Sequence, residues 1–217
     1  MARVLSVNIA HRPYDGPSGE SGFDKRPTAE AVAVRAPGDR RTGLGSGLAG
    51  DLIGNRKYHG GDDQAVYAYA REDLDEWETR LQRPLTNGMF GENLTTAGVD
   101  VTGAVIGERW AVGSDGLVLE VSRPRTPCRT FTQFLGIRGW MGTFTRAAKP
   151  GAYLRVITPG RVRAGDTVTV ADRPDHGVTI GHVFRAIMTE PELLPDILVA
   201  DALAPEVARR ARRRLAG

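Results

Sequence analysis

Four short stretches of this 217-residue chain use residues in ways that packing alone does not demand. The single cysteine, Cys128, closes the run Arg123-Pro124-Arg125-Thr126-Pro127-Cys128, and Arg129 follows it. A lone cysteine is ordinarily a small buried hydrophobe. Here the flanking arginines favour its thiolate form, and a thiolate is either a nucleophile or a soft metal ligand. The prolines at 124 and 127 stiffen the approach to it. The second stretch is His59-Gly60-Gly61-Asp62-Asp63-Gln64, where paired glycines permit positive φ and a close backbone approach to a ligand, or simply a turn closed by aspartates. It lacks the lysine and Ser/Thr of a Walker A loop. The third, Gly22-Phe23-Asp24-Lys25-Arg26-Pro27, offers a cationic pair suited to an oxyanion, or an exposed basic loop. The fourth, Gly88-Met89-Phe90-Gly91-Glu92-Asn93-Leu94-Thr95, places Asn93 where it either bonds a cofactor or stabilises a tight turn. The four histidines, at 11, 59, 176 and 182, show no i, i+4 metal spacing, and a Cys128–His59 nucleophilic pair stays open.

The elements that must hold these stretches are mostly strands. Period-two alternation runs through Val4–Ile9, Ala29–Val34, Val105–Val112, Leu117–Val121, Tyr153–Ile157 and Thr167–Val170. The Gly113–Gly116 turn joins two of them as a hairpin. With 27 glycines and 13 prolines, the pattern predicts a curved sheet or barrel with many turns. Leu74, Trp77 and Leu81 predict a helical insert over Arg71–Gln82, ended before Pro84, and a broken helical region spans Thr130–Ala148. After Pro174 the period changes. Thr179 caps a helix carrying Ile180, Val183, Phe184 and Ile187 on one face, and Pro191 and Pro205 open two more. The expected class is mainly β (α+β), with a body over 1–173 and a three-helix appendage over 174–217.

Composition narrows the function classes. Apolar residues are 41% and charged residues 25%, and no apolar run approaches the ~18–20 residues of a membrane span, so no membrane role is expected. One cysteine excludes an internal disulfide, an iron–sulfur cluster and a multi-thiolate zinc site, so a reducing cytoplasm is the expected compartment. The formal charge is +3, but five arginines at 209, 210, 212, 213 and 214 supply more than all of it. The body is therefore not basic, no nucleic-acid partner is expected, and the arginine run reads as a solvated helix end complementing the helix dipole.

In order along the chain, Asp24–Pro27 (DKRP), His59–Gly61 (HGG) with Ala65-Val66-Tyr67, Phe90–Thr95 (FGENLT), Ile106–Glu108 (IGE), Arg125–Cys128 (RTPC), Gly151–Tyr153 (GAY) and Ala164–Asp166 (AGD) resemble the MOSC family, the domain named after the C-terminal part of molybdenum-cofactor sulfurase, in its small YiiM-like branch. Ala70 departs from a serine common in the pattern. The resemblance implies a β-barrel-like body that binds molybdenum-molybdopterin. It makes Cys128 the metal ligand and reactive centre, and it gives Lys25, Arg26, His59, Asn93, Arg125 and Thr126 cofactor-facing roles. It further implies a reductase of N-hydroxylated compounds, such as hydroxylaminopurines, fed by a separate electron-donor reductase, expected to be a flavoprotein. A carrier of the cofactor, or of sulfur as a persulfide on Cys128, is the alternative. Whether the chain acts as a monomer or a homodimer is left open by the sequence.

Overall fold

A computed structural model describes residues 1–17 and 19–217. Strands β1 (Arg3–Ala10), β2 (Tyr14–Gly16), β3 (Gly19–Ser21), β4 (Lys25–Thr28), β5 (Val32–Val34) and β6 (Val66–Ala70) precede helix α1 (Arg71–Leu81). Strands β7 (Leu94–Ala97), β8 (Arg109–Val112) and β9 (Leu117–Pro124) follow, then α2 (Arg129–Leu135) and α3 (Trp140–Ala147). The chain continues through β10 (Ala152–Thr158), β11 (Gly160–Val162) and β12 (Val168–Asp172) to α4 (Ile180–Met188) and α5 (Pro205–Leu215). The molecule is α+β, built on an eight-stranded mixed sheet in the order β12-β8-β9-β10-β6-β7-β1-β4. Among the described strands of this sheet only β6 and β7 run parallel, with α1 in the connection between them, as a parallel pair requires a long crossover. The sheet curls back on itself: the Val4 amide donates to the Asp166 carbonyl and the Val168 amide to the Ala2 carbonyl. This gives the barrel-like body that the alternation predicts.

Several elements differ in detail from the sequence reading. Lys25–Thr28 is itself a strand, not a loop before one. Of the 105–112 alternation only Arg109–Val112 is strand, because Gly107 turns the chain at φ +86°. The segment opened by Pro191 forms two 3₁₀ turns, Pro191–Leu193 and Asp196–Val199, and not an α-helix. A second proline at 195 follows within four residues and breaks the ladder of amide donors. The flanking helices form as expected, with the Thr179 hydroxyl accepting from the His182 amide at 3.1 Å to cap α4. Val183, Ile187, Ile197, Leu203, Val207 and Ala211 from this C-terminal region join the core that the sheet builds.

A second cluster, almost wholly aromatic, lies between helices α1–α3 and the sheet: Phe23, Tyr67, Tyr69, Trp77, Phe90, Phe131, Trp140 and Phe144. Phe90 is its hub, with ring centroids 5.1 Å from Tyr69, 5.0 Å from Phe131 and 5.6 Å from Trp140. These are edge-to-face contacts, each favourable beyond the area it buries. We expect Phe90→Ala to cost about 3–5 kcal/mol of unfolding free energy by urea titration, since the hole would sit where helices and sheet meet.

Candidate active site

The four stretches converge. Strand β9 ends at Pro124, whose partner in β10 is Ala152, while Arg123 pairs with Tyr153. The chain then runs through Arg125 and Thr126 to Cys128, which is extended (φ −137°) and stands at the N-cap of α2. Cys128 is half-buried and lies where two hollows meet. The inner cleft, about 610 Å³, is walled by Phe23, Lys25, His59, Tyr67, Asn93, Arg125 and Tyr153 among others. The outer hollow, about 980 Å³, is lined by Tyr58, His59, Arg123, Thr126, Arg129, Glu206 and Arg210 among others. Ser21, His59, Cys128 and Thr130 belong to both.

Arg125 dominates the electrostatics. Its residue is 5% exposed. The guanidinium centre lies 4.0 Å from the Phe131 ring, 5.4 Å from Phe23 and 5.7 Å from Tyr67, so aromatic faces substitute for part of its hydration. Its Nη2 is 3.9 Å from Cys128 Sγ, and Nη1 is buried without a hydrogen-bond partner. Arg123 Nε is likewise buried and unpartnered. Buried charged donors are normally paired, so two guanidinium nitrogens without a partner set this region apart among the described residues.

The remaining sequence-selected residues have distinct placements. Lys25 faces the cleft, but its ammonium is committed to a buried ion pair with Asp51. Burial works against the Asp51 carboxylate, yet Lys25, Ser46 Oγ and the Ala10 amide outweigh it and hold its pKa below the ordinary value. Arg26, one residue on, points the other way along the strand and pairs with Asp24 outside the cleft, as alternation requires. Asn93 spends its side chain on the wall: Oδ1 accepts from the Tyr67 amide at 3.1 Å, and Nδ2 donates to Asp51 and to the Asn8 carbonyl. The buried Glu92 folds back to accept from the Gly88 and Phe90 amides, so that motif holds a turn. Gly60 and Gly61 adopt φ of +86° and +82°, and their close approach is to Gly45 and Arg40 of the same chain. Thr126 faces only the outer hollow. The sequence reading missed Tyr67 and Tyr153 as wall residues and Asp51 as the buried partner behind the wall. It also missed Glu206, Arg209 and Arg210, which the end of the chain brings to the mouth. Burial raises the pKa of Tyr67 and of Tyr153, so both stay neutral phenols.

Residues 55–169 match the MOSC domain. The chain belongs to the MOSC domain family. MOSC domains are associated with binding the molybdenum cofactor. This MOSC chain is 36% identical over 180 residues to "Uncharacterized protein YflK" of Bacillus subtilis (strain 168), covering 82% of this chain and 76% of that protein. It is 30% identical over 132 residues to "Protein YiiM" of Escherichia coli (strain K12), covering 58% of this chain and 57% of that one. Its fold superposes on the crystal structure of YiiM from Geobacillus stearothermophilus with a TM-score of 0.79 at 24% identity, over 99% of this chain and 100% of that chain. No helix among the described residues is long and apolar enough to cross a membrane.

His59 supplies a pH signature. Burial first, then the positive charges of Arg125, Arg123 and Arg40, push its pKa down from 6.5 to about 4. Between those values the unfolded chain binds a proton that the folded chain refuses, so stability falls as pH drops through that window. In cofactor-free protein, His59→Gln is expected to flatten the decline in melting temperature between about pH 6.5 and about pH 4. An unchanged slope would show that other groups set it.

Proposed function

We propose that this MOSC protein is a molybdenum-cofactor-dependent oxidoreductase that reduces N-hydroxylated compounds, such as hydroxylaminopurines, to amines. The observation that carries the reading is Cys128: the chain's one thiol, set at the junction of two hollows beside a buried arginine with an unmet donor. The residues suit the cofactor. Cys128 Sγ offers a thiolate to the metal, Arg125 a buried cation for an anionic ligand, and Phe23, Tyr67 and Tyr153 flat walls for a pterin. A relative named "Reductase" in Gibberella moniliformis (strain M3125 / FGSC 7600) is 32% identical over 135 residues, 59% of this chain and 23% of that protein, which agrees with a redox role.

The reaction converts the hydroxylamine, with two electrons and two protons, to an amine and water. When bound, the molybdenum centre supplies the two-electron couple that takes oxygen from nitrogen. The chain's own residues do the rest. Cys128 fixes the reactive centre between the hollows. Arg125 holds compensating positive charge in a dry setting. His59, neutral at pH 7, has one donating and one accepting ring nitrogen with which to relay a proton. Electrons come from a separate reductase, for which a flavoprotein is the natural class.

The test is protein made in a molybdate-fed host, assayed for metal and pterin and for reduction of 6-hydroxylaminopurine with an artificial electron donor. The native protein should carry molybdenum and turn over, and Cys128→Ser should fold normally while losing at least about a hundredfold in rate. Full turnover by that variant contradicts the ligand role. Molybdenum-free protein with an added sulfur on Cys128 points instead to a carrier.

A further inference from the structure

The C-terminal helix contributes side chains to the hollow that contains Cys128. Val207 and Ala211 turn into the core, which leaves Glu206 and Arg210, one helical turn apart, on a face that lines the outer hollow. Glu206 Oε2 is 2.9 Å from Arg40 Nη1 and 3.5 Å from Arg123 Nη1. Glu206 and Arg123 also line a neighbouring hollow with Arg40, Gly60 and Arg209. Thus guanidinium groups from two separated parts of the chain pair with one carboxylate at the mouth, and Arg129 and Arg210 line the same hollow. Arg123 is the most enclosed of them, its side chain 12% exposed and its Nε buried and unpartnered. Glu206 is itself half exposed. It satisfies part of the cationic cluster and leaves the rest unmet.

We propose that this outer hollow is a subsite for a phosphate monoester on the substrate, so that the preferred substrate is a phosphorylated purine, a nucleotide and not a free base. The inference rests on the reductase reading for the identity of the reaction, but the binding it describes is measurable without turnover. Planar guanidinium forks match phosphate oxygens two at a time. The hollow is open to solvent and brings Cys128 and Arg210 into one lining, so a nucleoside monophosphate can extend across it. Its base would face Cys128, and its phosphate would lie among Arg123, Arg129 and Arg210. Glu206 is then the resident anion that a phosphate must compete with. It sets selectivity by keeping Arg123 and Arg40 paired when the hollow is empty.

The test is calorimetric binding of adenosine 5′-monophosphate and adenosine to protein prepared with and without molybdate, alongside metal and pterin content. The monophosphate should bind at least about tenfold more tightly than the nucleoside in both preparations, about 1.4 kcal/mol by the affinity relation. Arg210→Ala, at an exposed position, should erase that preference while keeping the cofactor. Glu206→Gln should strengthen monophosphate binding and leave adenosine unchanged. Equal binding of the two probes overturns the subsite, as does an intact preference in Arg210→Ala. Loss of pterin from Arg210→Ala overturns it too, because the arginines would then be holding the cofactor's own phosphate. Protein from the molybdate-fed host that carries neither molybdenum nor pterin, yet prefers the monophosphate, contradicts the reductase reading and leaves the subsite standing.

Discussion

A guanidinium taken out of water with one of its donors unmet is the constraint around which this molecule is arranged. Arg125 is a fixed positive charge, and an unsatisfied buried donor costs about 1–3 kcal/mol. Phe131, Phe23 and Tyr67 offset part of that cost by presenting their ring faces. Tyr153 also bonds the guanidinium, but among the described residues Nη1 finds no hydrogen-bond partner. A protein tolerates such a group where a ligand supplies the missing partner, and the thiol of Cys128 stands 3.9 Å away.

The surrounding architecture keeps that charge dry and aimed. The aromatic cluster behind the cleft packs helices α1–α3 against the sheet and fixes Phe131, the ring closest to Arg125. On the opposite wall, Lys25 and Asp51 neutralise one another, with Ser46 and Asn93 completing the carboxylate's bonds. Two cations therefore face the cleft, but only Arg125 keeps its charge available. The loops that form the rim close against each other without room for a side chain: a Cβ on Gly54 would overlap the Glu20 carbonyl. The thiol is thus held between rigid walls, as a positioned ligand requires.

How much of this was legible in the sequence depended on distance along the chain. Cys128 and Arg125 are three residues apart, and their local spacing already joins a soft ligand to a cation. The barrel-like body followed from alternation, and the apolar positions of α1 from helical period. What stayed hidden were pairings between distant segments. Asp51 neutralises Lys25 from 26 residues away, and no pattern marks a lone aspartate in a glycine-rich loop as a partner. Arg26 looked equivalent to Lys25, and only the strand's alternation, unrecognised for that segment, turns it outward. The arginines near the C-terminus read as a solvated helix end, because helical period shows which face is buried but not what the exposed face overlooks. Arg209 and Arg210 overlook the mouth of the site. Pro191 suggested a helix start, and the second proline at 195, four residues on, is what reduces the segment to 3₁₀ turns.

The central claim is that the buried charge of Arg125 serves a ligand and not the fold. The direct measurement is the melting temperature of cofactor-free Arg125→Met beside that of the native protein, with pterin retention measured on both after expression in a molybdate-fed host. Replacing an incompletely paired buried charge by an apolar side chain of similar length is neutral or stabilising. The account therefore predicts an unchanged or higher melting temperature together with loss of bound pterin. A variant that melts well below the native protein yet retains pterin would contradict it.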